Sequence, residues 1–238
     1  PYNIVGARKL ERLARLLEQA EIAVSVDDAE LLRGLEWAAS ESGRELRVLV
    51  ECDTGLGRTG VQTPVAAAEL AWLVGRFPSL RFVGFLTFPL PPGARDFLAE
   101  AVRLVEDRGL EVTVVSVGGT PTMWESAELR PVVNEYRAGV YAFHDRSSVA
   151  AGAATLDDIA LTVAATVVSR PTPRRAVLDA GSKVLSSDRG SVTGHGLIVE
   201  APESTITRLD EEHAYVEVAV AETLELGQTV RVVPNHVC

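Results

Sequence analysis

Through the first half of the chain, apolar positions recur with two alternating periods. Residues 8–20 place Leu10, Leu13, Leu16 and Leu17 at helical spacing with charge on the other face, which predicts an amphipathic helix. Residues 21–28 and 46–53 are short apolar runs ending in acids and predict buried strands, while 29–40 returns to helical spacing. The alternation continues with an Ala-rich helix over 64–77, a strand over 81–88 and a helix over 94–109. A strand over 111–119 then runs into glycines, and 132–143 holds another. Continuous apolar strands alternating with helices predict a parallel sheet covered by helices. About five such strands suit either a doubly wound sheet or part of a (β/α)8 TIM-type barrel. Asp53, Thr87, Gly118–Gly119 and Gly139 fall at the C-terminal ends of different strands, as at a barrel mouth.

Beyond about residue 148 the helical period fades. Runs at 159–169, 175–181, 196–201, 204–210, 214–221 and 229–234 are β-rich and separated by Pro, Gly or charged turns. This predicts an antiparallel β domain. The small-residue stretch Ser147–Ala154 marks the expected boundary, giving domains 1–148 and 149–238.

Composition narrows the function classes. A chain of 238 residues, 47% hydrophobic, can bury a large core. Its net charge of −10 argues against a nucleic-acid coat or a basic membrane-binding patch. No apolar run approaches the roughly 20 residues that span a bilayer, and no signal-peptide pattern opens the chain. Two cysteines, Cys52 and Cys238, make no disulfide framework, so a cytoplasmic location is expected. Met123 is the sole methionine and the chain ends on Cys238 straight after a strand-like run. Both ends read as cut, and the chain is expected to be a fragment. Lys9 and Lys183 are its only lysines.

Three segments carry candidate chemistry. Asp53–Gly60 (DTGLGRTG) is a glycine-rich loop after a strand. It is either a turn whose glycines allow positive φ or a seat from which Arg58 meets an oxyanion with its planar fork. Ser116–Thr122 (SVGGTPT) offers two glycines and a hydroxyl around which backbone N–H groups can converge on an anion. It lacks the Gly-Lys-Ser/Thr of a Walker loop. In Pro234–Cys238 (PNHVC), strand alternation puts His236 and Cys238 on one side, about 7 Å apart and able to share a metal. An inert thiol beside a packed histidine is the plainer reading. His195 between glycines and His213 after two glutamates are ambiguous in the same way.

Taken in order, ECDTGLGRTGV, VSVGGTPT, EYRAGVYAFHD, LDAGSKVLSSDRG, EEHA and VVPNHVC resemble the D-threonine aldolase / D-serine dehydratase family. That family belongs to the alanine-racemase-like, fold-type III pyridoxal-phosphate enzymes. The resemblance implies a partial (β/α)8 barrel followed by an antiparallel β domain, with the cofactor in the barrel mouth. Arg58 would approach the phenolic oxygen of the pyridine ring. Gly118, Gly119, Thr120, Gly139 and Val140 would cradle the phosphate, Arg137 would lie beside the ring nitrogen, and Tyr141 nearby. His236 and Cys238 would bind a divalent cation, with Zn²⁺ favoured by the thiolate and Mn²⁺ or Mg²⁺ as alternatives. The implied substrate is a small D-β-hydroxy amino acid, the implied assembly a homodimer, and no nucleic acid or membrane is involved. Aldolase cleavage is the leading implication. D-serine dehydration and a non-catalytic cofactor-binding relative are the alternatives, and racemization leaves the metal pair unexplained. The Schiff-base lysine of this family stands at the end of the first barrel strand, a place that neither Lys9 nor Lys183 fits, so it is expected to precede residue 1.

Overall fold

The computed structural model describes residues 3–237. They form two compact units: residues up to Gly119 with Trp124–Arg137, and Thr120–Met123 with the chain from Ala138 onward.

The first unit follows the alternation of the sequence. Its elements are α1 (Ala7–Leu17), β1 (Ala23–Val26), α2 (Glu30–Ser42), β2 (Leu46–Cys52), α3 (Pro64–Val74), β3 (Leu80–Thr87), α4 (Ala94–Glu106), β4 (Val114–Gly118) and β5 (Glu135–Arg137). All four strand pairings are parallel, and the spatial order β1-β2-β3-β4-β5 is the chain order. That order decides between the two architectures left open by the pattern. A doubly wound sheet reverses direction at a switch point, whereas a barrel adds each strand beside the last. The sequential order is that of a barrel.

The amphipathic pattern explains the packing. Leu13, Ala14 and Leu17 of α1 are buried with Leu32, Leu35, Ala38 and Ala39 of α2 and with Val24, Val26, Val48 and Val50 of the sheet. Full burial of each such leucine or valine removes about 1.5–3 kcal/mol worth of apolar surface from water. Gly84 marks a shift of register between β2 and β3, and a Cβ there would stand 1.7 Å from the Val114 carbonyl oxygen. Only glycine allows β4 to approach so closely. Between β4 and β5 the chain forms a 3₁₀ segment, Thr120–Leu129, with Pro121 in its first turn. The sequence pattern did not reveal it, because its residues lack a helical apolar stripe.

In the second unit, β6 (Val163–Thr172), β7 (Arg175–Leu178), β8 (Leu197–Ile198), β9 (Thr205–Leu209), β10 (Ala214–Glu217) and β11 (Thr229–Val233) form an antiparallel sheet in the order β8-β11-β6-β7-β10-β9. Two short helices, α5 (Arg146–Ala150) and α6 (Ser182–Leu185), accompany it. Alternate strand residues such as Ala165, Val167, Ile206, Val216, Val230 and Val232 make its core. Among the described residues, no helix is long and apolar enough to cross a membrane.

Candidate active site

In the first unit, the C-terminal ends of the parallel strands are tied together by polar side chains. Buried Glu51 accepts hydrogen bonds from Ser25 Oγ at 3.1 Å and Thr59 Oγ1 at 2.6 Å. Thr87, also buried, donates to the Cys52 carbonyl at 2.8 Å and lies 2.8 Å from Thr54 Oγ1. Burial, with Glu51 alongside, pushes the Cys52 thiol well above its ordinary range, so this free cysteine is inert at neutral pH. Arg137 donates from Nε to Ser116 Oγ at 2.8 Å and from Nη2 to the Thr87 carbonyl at 2.7 Å. Its guanidinium is thereby pinned at the ends of β3 and β4.

The loop after β2 is organised by its own acid. Asp53 Oδ1 accepts from the N–H groups of Gly55, Leu56 and Gly57 at 2.9, 2.9 and 3.1 Å. These backbone bonds hold the Asp53 carboxyl below its usual range. The amides of this loop are therefore turned inward onto Asp53. Arg58 is exposed, with its guanidinium 5.7 Å from the centre of the Phe88 ring.

At the end of β4, Gly118 and Gly119 lie against β5. Gly119 N–H donates to the Arg137 carbonyl at 3.2 Å, and its own carbonyl accepts from Tyr136 Oη at 2.5 Å. Its φ of +132° is one that side chains of L-residues rarely adopt. Tyr136 was not singled out by sequence reasoning, since a tyrosine in a strand reads as packing. In the second unit, Thr120 Oγ1 accepts from Val140 N–H at 3.1 Å. This bond brings the 120 and 139–140 segments together. A Cβ on Gly139 would meet nothing within 4 Å, so the space beside it is open. Tyr141 is exposed.

The segment after β11 is pinned more firmly. Asn235 is buried, and its amide donates to the carbonyls of Gly194 at 2.9 Å and Asp188 at 3.2 Å. His236 Nδ1 lies 3.1 Å from Asp145 Oδ2, which also accepts from Val237 N–H at 3.3 Å. The other oxygen of Asp145 caps α5 through Ser148. In the sequence Asp145 is one residue of EYRAGVYAFHD, and nothing local relates it to a histidine 91 positions away. Cys238, the other expected metal ligand, lies outside the described residues.

The remaining candidates fall elsewhere. His195 Nε2 is 3.1 Å from Arg189 Nη2, and burial followed by the Arg189 charge lowers its pKa. Its buried Nδ1 finds no partner among the described residues. His213 is exposed in the turn before β10. Lys9 lies on exposed α1 surface, and Lys183 on α6 pairs with Glu212 at 2.6 Å and Glu211 at 3.4 Å. Neither lysine stands at the end of a strand of the parallel sheet.

Comparison with known proteins adds a second line of evidence. The family model described as "Alanine racemase, N-terminal domain" matches residues 2–147, and that described as "Putative serine dehydratase domain" matches residues 160–238. The chain is 31% identical to a D-threonine aldolase of an Arthrobacter species, over 99% of this chain and 65% of that protein. It is 30% identical to D-threo-3-hydroxyaspartate dehydratase of Delftia sp. strain HT23, over 100% of this chain and 70% of that protein. The crystal structure of D-threonine aldolase from Filomicrobium marinum superposes with a TM-score of 0.79 at 31% identity, covering 98% of this chain and 67% of that one. The chain thus spans 65% of the length of the Arthrobacter relative.

Proposed function

The chain belongs to the alanine-racemase-like family of fold-type III enzymes, with a serine dehydratase domain following the racemase-type domain, and on that premise we propose that the whole protein is a pyridoxal-phosphate-dependent lyase. Its substrates are D-β-hydroxy amino acids, and its reaction is cleavage of D-threonine to glycine and an aldehyde with the help of a divalent cation. Bound there, pyridoxal phosphate supplies an electron sink for charge at Cα, and the cation a Lewis acid for the β-hydroxyl.

The residues present suit these groups. Gly118, Gly119, Thr120, Gly139 and Val140 would hold the phosphate. Support comes from the glycine-only backbone of Gly119 and the open space beside Gly139. Arg58 would serve the phenolic oxygen and Arg137 the ring nitrogen; the fixed guanidinium of Arg137 suits an orienting role. Tyr141 would line the same site. His236 and Cys238 would bind the cation, Zn²⁺ first among candidates. Lys9 and Lys183 both stand away from the ends of the parallel strands, so neither is assigned as the covalent anchor.

One observation carries the metal half of the reading. His236 is fixed from behind by a buried carboxylate, yet its side chain keeps 34% of its surface exposed. A histidine held by one nitrogen and open at the other is arranged to bind something. Dehydration, in which the β-hydroxyl leaves and ammonia follows, is the second reading, favoured by the serine dehydratase match over 160–238. Incubating the full-length protein with D-threonine and with D-serine separates the two. Equal yields of glycine and aldehyde support the aldolase, and ammonia with a 2-oxo acid supports the dehydratase. Absence of both product pairs refutes the lyase reading.

A further inference from the structure

Asp145 is a buried carboxylate, with 1% of its side chain exposed, that collects four donors. Its Oδ1 accepts from the Ser148 N–H and hydroxyl, both at 2.7 Å. Its Oδ2 accepts from Val237 N–H at 3.3 Å and faces His236 Nδ1 at 3.1 Å. A carboxylate oxygen offers only lone pairs, so the proton of this last bond sits on Nδ1. In a neutral imidazole the other nitrogen, Nε2, then carries the free lone pair.

We propose that Asp145 is a positioning residue that locks the tautomer and ring direction of His236, so that Nε2 is presented to a divalent cation. The proposal rests on the reading of His236 as a ligand, and names the group that makes it one. The two Oδ2 bonds fall on consecutive residues, the His236 ring and the Val237 amide, so the same carboxylate also fixes the main chain at Val237. The Oδ1 bonds fix Asp145 in turn. A partner of this kind raises ligand basicity and removes the entropy of a freely turning ring.

The substitution Asp145→Asn isolates this role. Asparagine is as good an N-cap as aspartate, so its oxygen keeps the Ser148 donors. Its amide nitrogen is then left toward His236 and favours the opposite tautomer, with the proton on Nε2. In the full-length protein, Co²⁺ added alone as the chloride and followed by its visible absorption should bind about 10- to 100-fold more weakly to Asp145→Asn than to the parent. Long-range ¹H–¹⁵N correlation of the metal-free parent at pH 8 should show the His236 proton on Nδ1. This second measurement needs no variant and decides the matter even if Asp145→Asn fails to fold. A proton found on Nε2, or a Co²⁺ affinity within twofold of the parent, overturns the proposal. His236→Ala tells which layer has failed. If it too leaves Co²⁺ binding intact, the ligand reading falls; if it abolishes binding while folded Asp145→Asn does not, only the positioning role falls.

Discussion

The rim of the parallel sheet and the corner around His236 are built from different materials. At the rim, side chains brace the strand ends but the loops above them are shaped by main chain: the turned backbone of Gly119, and the Asp53 loop whose amides converge on one carboxylate. In the corner, side chains hold side chains and main chain at long range. Asp145 holds His236, and Asn235 spans to the carbonyls of Gly194 and Asp188. A backbone site must be written as a contiguous string of small residues, whereas a side-chain site can recruit any part of the sequence.

The corner offers the largest expected effect. Removing its imidazole by His236→Ala in the full-length protein should lower turnover by about 10²–10³, the several kcal/mol a Lewis acid contributes. The visible absorption of bound pyridoxal phosphate should persist, because the phosphate groups belong to other segments. Chelation by excess EDTA should copy the variant, and added Zn²⁺ should restore the parent alone. Full turnover in chelator would remove the cation from the proposed reaction and, with it, the functional half of the contrast.

That difference in materials also explains how much was legible in the sequence. The parallel strands were readable because apolar runs such as Leu46–Cys52 leave no other consistent burial, and the antiparallel unit because its strands alternate. Strand order was not readable, since periodicity describes one element at a time; the choice of barrel over doubly wound sheet came from the pairings. β8 shrinks to Leu197–Ile198 because Gly196 precedes it with a φ of +153°, and because the chain turns straight after it, with Ala201 N–H donating to the Ile198 carbonyl at 3.2 Å. The loops at the strand ends stood out through their glycines. His236 stood out through its proximity to Cys238, while Asp145 resembled any helix cap and Tyr136 any strand aromatic.

The proposed phosphate cradle should respond more gently. A methyl group at Gly139 meets nothing within 4 Å, so Gly139→Ala should leave the melting temperature unchanged. It narrows the approach of a phosphate to the main chain, and loss of one such hydrogen bond corresponds to about a tenfold weaker affinity. Titration of the full-length protein with pyridoxal phosphate measures this directly. An unchanged affinity would detach Gly139 from the proposed cradle.

The smallest effect tests whether the Asp53 loop is held by charge as well as by geometry. Hydrogen bonds from Gly55 and Gly57, followed by those from Gln62 and Leu56, lower the folded-state pKa of Asp53 below its ordinary value. A carboxyl shifted this way binds a proton more readily in the unfolded chain, so folding is favoured above the unfolded pKa near 4. The contribution fades as pH falls through the lower folded value. Asp53→Asn keeps an acceptor for the turn but cannot titrate. Melting curves below pH 4 should therefore fall less steeply for the variant, with the gap between the two proteins at its full width above pH 4 and closing in stronger acid. Because Asp53 is half-buried and open to water, screening limits the difference to about 1–2 °C. Asp158, whose pKa is lowered by the backbone and hydroxyl of Thr155, adds to the acid limb of both proteins and cancels in the comparison. Parallel curves would mean that the Asp53 loop depends on shape alone, with its glycines setting the turn and the carboxylate charge adding nothing to its stability.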